Sequence, residues 1–104
     1  MRLTALYVAS PKHIPLWERI EIEALIDTAE RAQHGGRLAI NPDALVIEAH
    51  GEGFFVATAI VGTGSRPDSV SPTLWSLLEV AFRNDAPWIL FDAAEAPHTN
   101  LPVF

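Results

Sequence analysis

Pro87-Trp88-Ile89-Leu90-Phe91-Asp92 is the stretch whose reading decides the fold of this chain. An uninterrupted apolar run that enters from a proline and stops at an aspartate has the length and composition of a buried strand. Ala93-Ala94-Glu95-Ala96-Pro97-His98-Thr99-Asn100 then leads into Leu101-Pro102-Val103-Phe104. Chain ends usually fray into polar residues, so an aromatic finish predicts that the last residues dock on the core.

Upstream of that strand, Asn84-Asp85-Ala86-Pro87 leads into it, and Ser71-Pro72 opens a helix that runs to about Arg83. Serine supplies the N-cap and proline suits the first helical position. Residues 62–70 form a polar loop. The β-rich runs 44–50 and 54–61 flank Gly51-Glu52-Gly53, a glycine loop that makes them a hairpin. An earlier helix stops at Gly35-Gly36 and begins either at Ser10-Pro11 or later at Pro15. Residues 3–9 are the first strand. The order βαββαβ predicts an α+β, ferredoxin-like split-βαβ sandwich. Its four-stranded antiparallel sheet would carry both helices on one face, with 1–104 as a single domain.

Composition narrows the function. The 104 residues are 49% hydrophobic, with a mean hydropathy of +0.19, enough for the chain to fold unaided. Asp and Glu number 13 against 7 Lys and Arg, a net charge of −6. With Lys12 as its single lysine the chain is poorly equipped to neutralise phosphates, so direct nucleic-acid binding is not expected. An acidic surface suits a protein partner with a basic surface. Cysteine is absent, which removes disulfides and thiolate chemistry. No run approaches a membrane span, and the apolar stretch after Met1-Arg2 is too short for a signal peptide, so a cytoplasmic location is expected. Gly62-Thr63-Gly64-Ser65 lacks the Lys-Ser/Thr pair of a phosphate loop and reads as a turn, so no cofactor is expected. Trp17, Trp75, Trp88, Phe54 and Phe55 lack interleaved basic residues and read as core rather than as base-stacking groups.

The two helices differ in pattern. In the second, Leu74, Trp75, Leu77, Leu78, Ala81 and Phe82 form one stripe. In the first, Ile22, Leu25, Ile26, Ala29 and Ala32 form one stripe, while Leu16, Trp17, Ile20 and Ala24 form another about 140° away. The second stripe either packs over the end of the sheet or is an exposed, Trp-centred patch for a partner. Glu18, Glu21, Glu23, Asp27 and Glu30 make this helix the main acidic feature.

Two polar constellations stand out. In ferredoxin-like wiring Ser10, His13, His50 and Glu52 gather at one end of the sheet. They are the parts of a Ser-His-acid relay or of a metal site. Ser10 also has the plainer task of capping a helix. Asp92, Glu95 and His98 would lie at the opposite end, where carboxylates and an imidazole can hold a divalent ion. A strand-end aspartate also commonly accepts backbone N–H bonds in a turn.

Short motifs run through the chain. The final strand reads W-[IL]-x-F-D through Trp88, Ile89, Phe91 and Asp92, followed by L-P-x-[YF] through Leu101, Pro102 and Phe104. A glycine-plus-aromatic hairpin (Gly53, Phe55, Val56) precedes it, and Ser10, His13 and Ile14 give S-x-x-H-I after the first strand. In these features the chain resembles domain-of-unknown-function family 5983, small bacterial proteins often carried on plasmids, phages and other mobile elements. Where that family has a second acid two residues after the strand aspartate, this chain has Ala94, with Glu95 shifted by one. The resemblance implies a fold and a genomic habitat, and brings no catalytic residues.

These readings lead to an expectation of a small acidic protein without catalysis, acting by protein–protein contact. Its most concrete form is a mobile-element-encoded anti-defence inhibitor of the anti-CRISPR type. The contact face would be Leu16, Trp17 and Ile20 with Glu21, Glu23, Asp27 and Glu30. The rival expectations are a small hydrolase or metalloprotein using Ser10, His13, His50 and Glu52, and a homodimeric module. Strands with apolar residues on both faces further predict that the second sheet face is covered by the C-terminal tail, by a second copy, or by both.

Overall fold

A computed structural model describes residues 6–33, 38–39, 45–50, 53–99 and 101–104; of residues 28–33, 38–39 and 50 it describes the backbone only. The elements are β1 (Leu6–Ala9), a 3-10 turn (Pro11–His13), α1 (Leu16–Gln33), β2 (Leu38–Ala39), β3 (Val46–His50) and β4 (Gly53–Ala57). A second 3-10 helix (Ala59–Thr63), α2 (Pro72–Arg83) and β5 (Trp88–Phe91) complete them. The class is mixed α+β, as expected, and the β3–β4 hairpin pairs in antiparallel register from Ile47↔Val56 to His50↔Gly53.

The sheet departs from the expected antiparallel, ferredoxin-like arrangement. Its order is β1-β5-β4-β3-β2, and β1 runs parallel to β5, with Leu6↔Trp88 through Ala9↔Phe91 in register. In ferredoxin-like wiring the first strand is internal and the last is at the edge; here those places are exchanged. Burial gives the reason. Ile89, Leu90 and Phe91 are buried, and they include side chains from both faces of β5, so β5 belongs where a strand has neighbours on both sides. β1 leaves Leu6, Tyr7 and Val8 exposed and tolerates the edge.

Three boundaries also differ from expectation. Both start signals of the first helix are used. Ser10 caps the 3-10 turn by accepting from Lys12 N at 3.2 Å, and α1 begins after Pro15, whose carbonyl accepts from Glu18 N and Arg19 N. The fourth strand ends at Ala57, because Thr58 adopts helical backbone angles and the apolar run continues as a 3-10 helix that buries Ile60. β2, two residues long, gave too short a signal to be read as a strand.

One sheet face carries Ile47, Phe54, Val56, Ile89 and Phe91, which form a single core with Ile22 of α1 and Leu74, Trp75, Leu78 and Ala81 of α2. The alternation along β4 and β5 places Phe55, Trp88 and Leu90 on the other face, with Leu6 and Val8 beside them at 46% and 45% exposure. The C-terminal tail does not cover that face. Phe104 N donates to Lys12 O at 3.0 Å, and Arg19 Nη2 donates to Phe104 O at 3.0 Å. The tail is thus docked by its main chain, while Leu101, Val103 and Phe104 remain exposed, contrary to the expected burial of the apolar end.

Local chemistry at two points holds this arrangement. A Cβ at Gly53 would stand 2.1 Å from Phe91 O, so the close approach of β4 to β5 requires glycine there. α2 ends in a Schellman motif: Asp85 N donates to Phe82 O and Ala86 N to Ala81 O, with Asp85 in the left-handed region at φ 59°. Aspartate tolerates that conformation less well than glycine. Asp85→Gly is therefore expected to stabilise the fold by about 1 kcal/mol, and Asp85→Ala to give no such gain. Urea midpoints of the three proteins check this.

Candidate functional site: the His13 cleft and the exposed turn of α1

Because β5 is parallel to β1, the residues that follow both strands lie at the same end of the sheet. Ser10 and Asp92 are therefore neighbours in strand order, not at opposite ends as expected; Asp92 N donates to Ala9 O at 3.0 Å. Parts of the two constellations meet at His13, which is 1% exposed. His98 N donates to His13 Nε2 at 2.8 Å, and His13 Nδ1 lies 2.7 Å from Pro102 O. An amide N–H cannot accept and a carbonyl cannot donate, so Nδ1 is the donor and Nε2 the acceptor. Both ring nitrogens are thereby engaged with the main chain of the tail.

Ser10 Oγ serves Lys12 N, and the bond between Ser10 and His13 is from His13 N to Ser10 O, so the side chains of Ser10 and His13 form no relay. The backbone of His50 lies on β3, which is separated from β1 by β4 and β5, three inter-strand steps of about 4.8 Å each. Glu52 lies outside the described residues. Asp92 Oδ1 accepts from Ala94 N at 2.9 Å, an Asx-turn. Among the described residues, no three His, Asp or Glu side chains are grouped as a metal ion would require.

Beside His13 lies an open cleft of about 620 Å³. Tyr7 and Ala9 of β1 and Ile89 of β5 line one side of it. Leu77 and Val80 of α2 line another, and residues 95–99 with Leu101 form the outer wall. Sequence reasoning did not find this cleft, because it exists only where edge strand, helix and tail meet.

A second polar feature was misassigned. Glu18, counted with the acidic face of α1, is 3% exposed. Its Oε2 accepts from Ser71 N at 2.9 Å and its Oε1 from Ser71 Oγ at 2.5 Å, while Ser71 Oγ accepts from Leu74 N at 3.0 Å. In a local capping box a glutamate at the third helical position would reach back to the N-cap amide. α2 has Leu74 there, and Glu18 supplies the carboxylate from the other helix. The signal was present in the spacing, since Glu18 precedes Ile22 by four residues and shares its buried stripe. Burial pushes the Glu18 carboxyl above its ordinary value near 4.5, against the opposing effect of the Ser71 hydrogen bonds and with a contribution from Glu21.

The remaining predicted contact residues lie on the surface. Trp17 is 51% exposed and Leu16 and Ile20 are both 56% exposed, so this stripe does not pack over the end of the sheet. Glu21, Glu23 and Asp27 are exposed beside it, and the side chain of Glu30 lies outside the described set. Among the described residues no helix is long and apolar enough to cross a membrane.

Residues 6–104 match the family of unknown function (DUF5983) C-terminal domain, and the chain belongs to that family. No curated protein and no solved structure matches the chain.

Proposed function

We propose that this domain is a binding module that acts through contact with another protein, and that the first turns of α1 are its contact face. The observation that carries this reading is the exposure of Trp17 beside Leu16 and Ile20. Tryptophan is enriched among the residues that dominate interface energy, and positions 16, 17 and 20 are neighbours on one helical stripe. Glu21, Glu23 and Asp27 border the stripe, so the fitting partner has an apolar groove rimmed by basic residues. A cytoplasmic anti-defence inhibitor of the anti-CRISPR type, covering a basic nucleic-acid-binding surface, is the particular form of this proposal. A homodimer is a second reading, favoured by the exposure of Leu6 and Val8 on the open sheet face; the solution mass distinguishes the two.

Trp17→Ala provides the test. An exposed side chain contributes little to folding, so the variant is expected to melt within a few degrees of the parent. Its complex should dissociate faster, with a loss of about 2 kcal/mol in affinity. Charge reversal at Asp27 and Glu30 should instead slow association, most strongly at low salt. A capture from host extract in which both variants retain every bound protein overturns the contact face.

A further inference from the structure

The geometry points to the cleft between β1, α2 and the tail as a binding site for a small, uncharged, mostly apolar molecule, separate from the contact face on α1. Its volume of about 620 Å³ falls in the range of small-molecule sites. Apolar side chains that could have closed it are left open to it. Val80 is 46% exposed, and Leu77 is only partly buried, although α2 otherwise buries Leu74, Leu78 and Ala81. The outer wall is held in place by a buried polar group. His13 accepts from His98 N and donates to Pro102 O, so the tail cannot collapse onto Val80 without giving up both bonds. A site built in advance in this way avoids the cost of ordering on binding.

The lining also defines the ligand. Among the described residues no lysine or arginine contributes to it, and Glu95 is the one carboxylate. Both ring nitrogens of His13 are engaged with the main chain and are not offered to a ligand. An anionic ligand would meet the Glu95 carboxylate and, apart from the His98 imidazole, no cationic side chain among the described lining residues, which disfavours phosphates, nucleotides and carboxylic acids. What remains is an apolar ring or short chain, with Tyr7 and Thr99 among the lining groups that can hydrogen-bond a polar substituent.

Two dyes with the same ring system test this. N-phenyl-1-naphthylamine is neutral, and 8-anilinonaphthalene-1-sulfonate adds an anionic group. The neutral dye is expected to bind saturably at one site per chain, at least tenfold tighter than the sulfonate. Val80→Trp and Ala96→Trp, which fill the cleft from opposite walls at exposed positions, should each weaken it at least tenfold. Trp17→Ala should leave it within twofold, which separates this site from the contact face. Thermal melting confirms that each variant folds, and either wall suffices if the other variant does not. The inference is overturned by the absence of saturable binding, by equal or tighter binding of the sulfonate, by binding that survives in a folded wall variant, or by binding lost in Trp17→Ala.

Discussion

His13→Ala is expected to cost about 2–4 kcal/mol and to release the segment 95–102 from the body of the domain. The ring is 1% exposed, so its loss leaves a cavity. It also leaves His98 N and Pro102 O without their partner. Those main-chain groups belong to a segment whose described side chains are exposed, so the cheaper response is for the tail to lift into water. Limited proteolysis should then cut within 95–102 at protease levels that leave the parent intact, and urea unfolding should show the loss of stability. A variant with parental stability and an uncut tail would mean that the two bonds do not hold the wall. The same measurement bears on the cleft, whose outer boundary is that segment.

Glu18→Ala is the second large expected effect, about 2–3 kcal/mol, because it strips Ser71 N and Ser71 Oγ of their acceptor at the start of α2. The more telling comparison is with Glu18→Gln across pH. The folded carboxyl is pushed above its ordinary value, so the folded chain holds the Glu18 proton more tightly than the unfolded chain does. The part of Glu18's contribution that is linked to its proton is then full below about pH 4.5 and is lost as pH rises through the raised folded value, over and above the bonds from Ser71. Parent stability minus that of Glu18→Gln should therefore grow on acidification from neutrality and level off near pH 4.5. The other carboxylates are common to both proteins and cancel in the difference. Urea midpoints at several pH values check it; a difference that is flat, or that shrinks on acidification, would show that Ser71 outweighs burial at this carboxyl.

Much of the architecture was legible in local signals. Ser71-Pro72 begins α2, and the glycine loop between β3 and β4 marks a hairpin, because capping and turn chemistry act over a few residues. The apolar run of β5 declared a buried strand for the same reason, since its burial on both faces is written in consecutive side chains. The paired start signals at Ser10-Pro11 and Pro15 were read as alternatives; the chain uses both in sequence, as a 3-10 turn and then α1.

What local signals do not carry is which strand pairs with which, and that one choice decided the site. With β5 parallel to β1, Ser10 and Asp92 share an end of the sheet, and the tail passes His13 instead of leaving from the far side. The same tertiary choice left the stripe of Leu16, Trp17 and Ile20 in solvent, where periodicity could show that it was separate but not what covered it. By itself the sequence determined the α+β class, the acidic surface and the positions of the caps and turns, since these rest on composition and on contacts between near neighbours. Only the tertiary structure decided the cleft, the engagement of both His13 ring nitrogens and the burial of Glu18. Each depends on groups brought together from distant parts of the chain, Glu18 with Ser71 and His13 with His98 and Pro102.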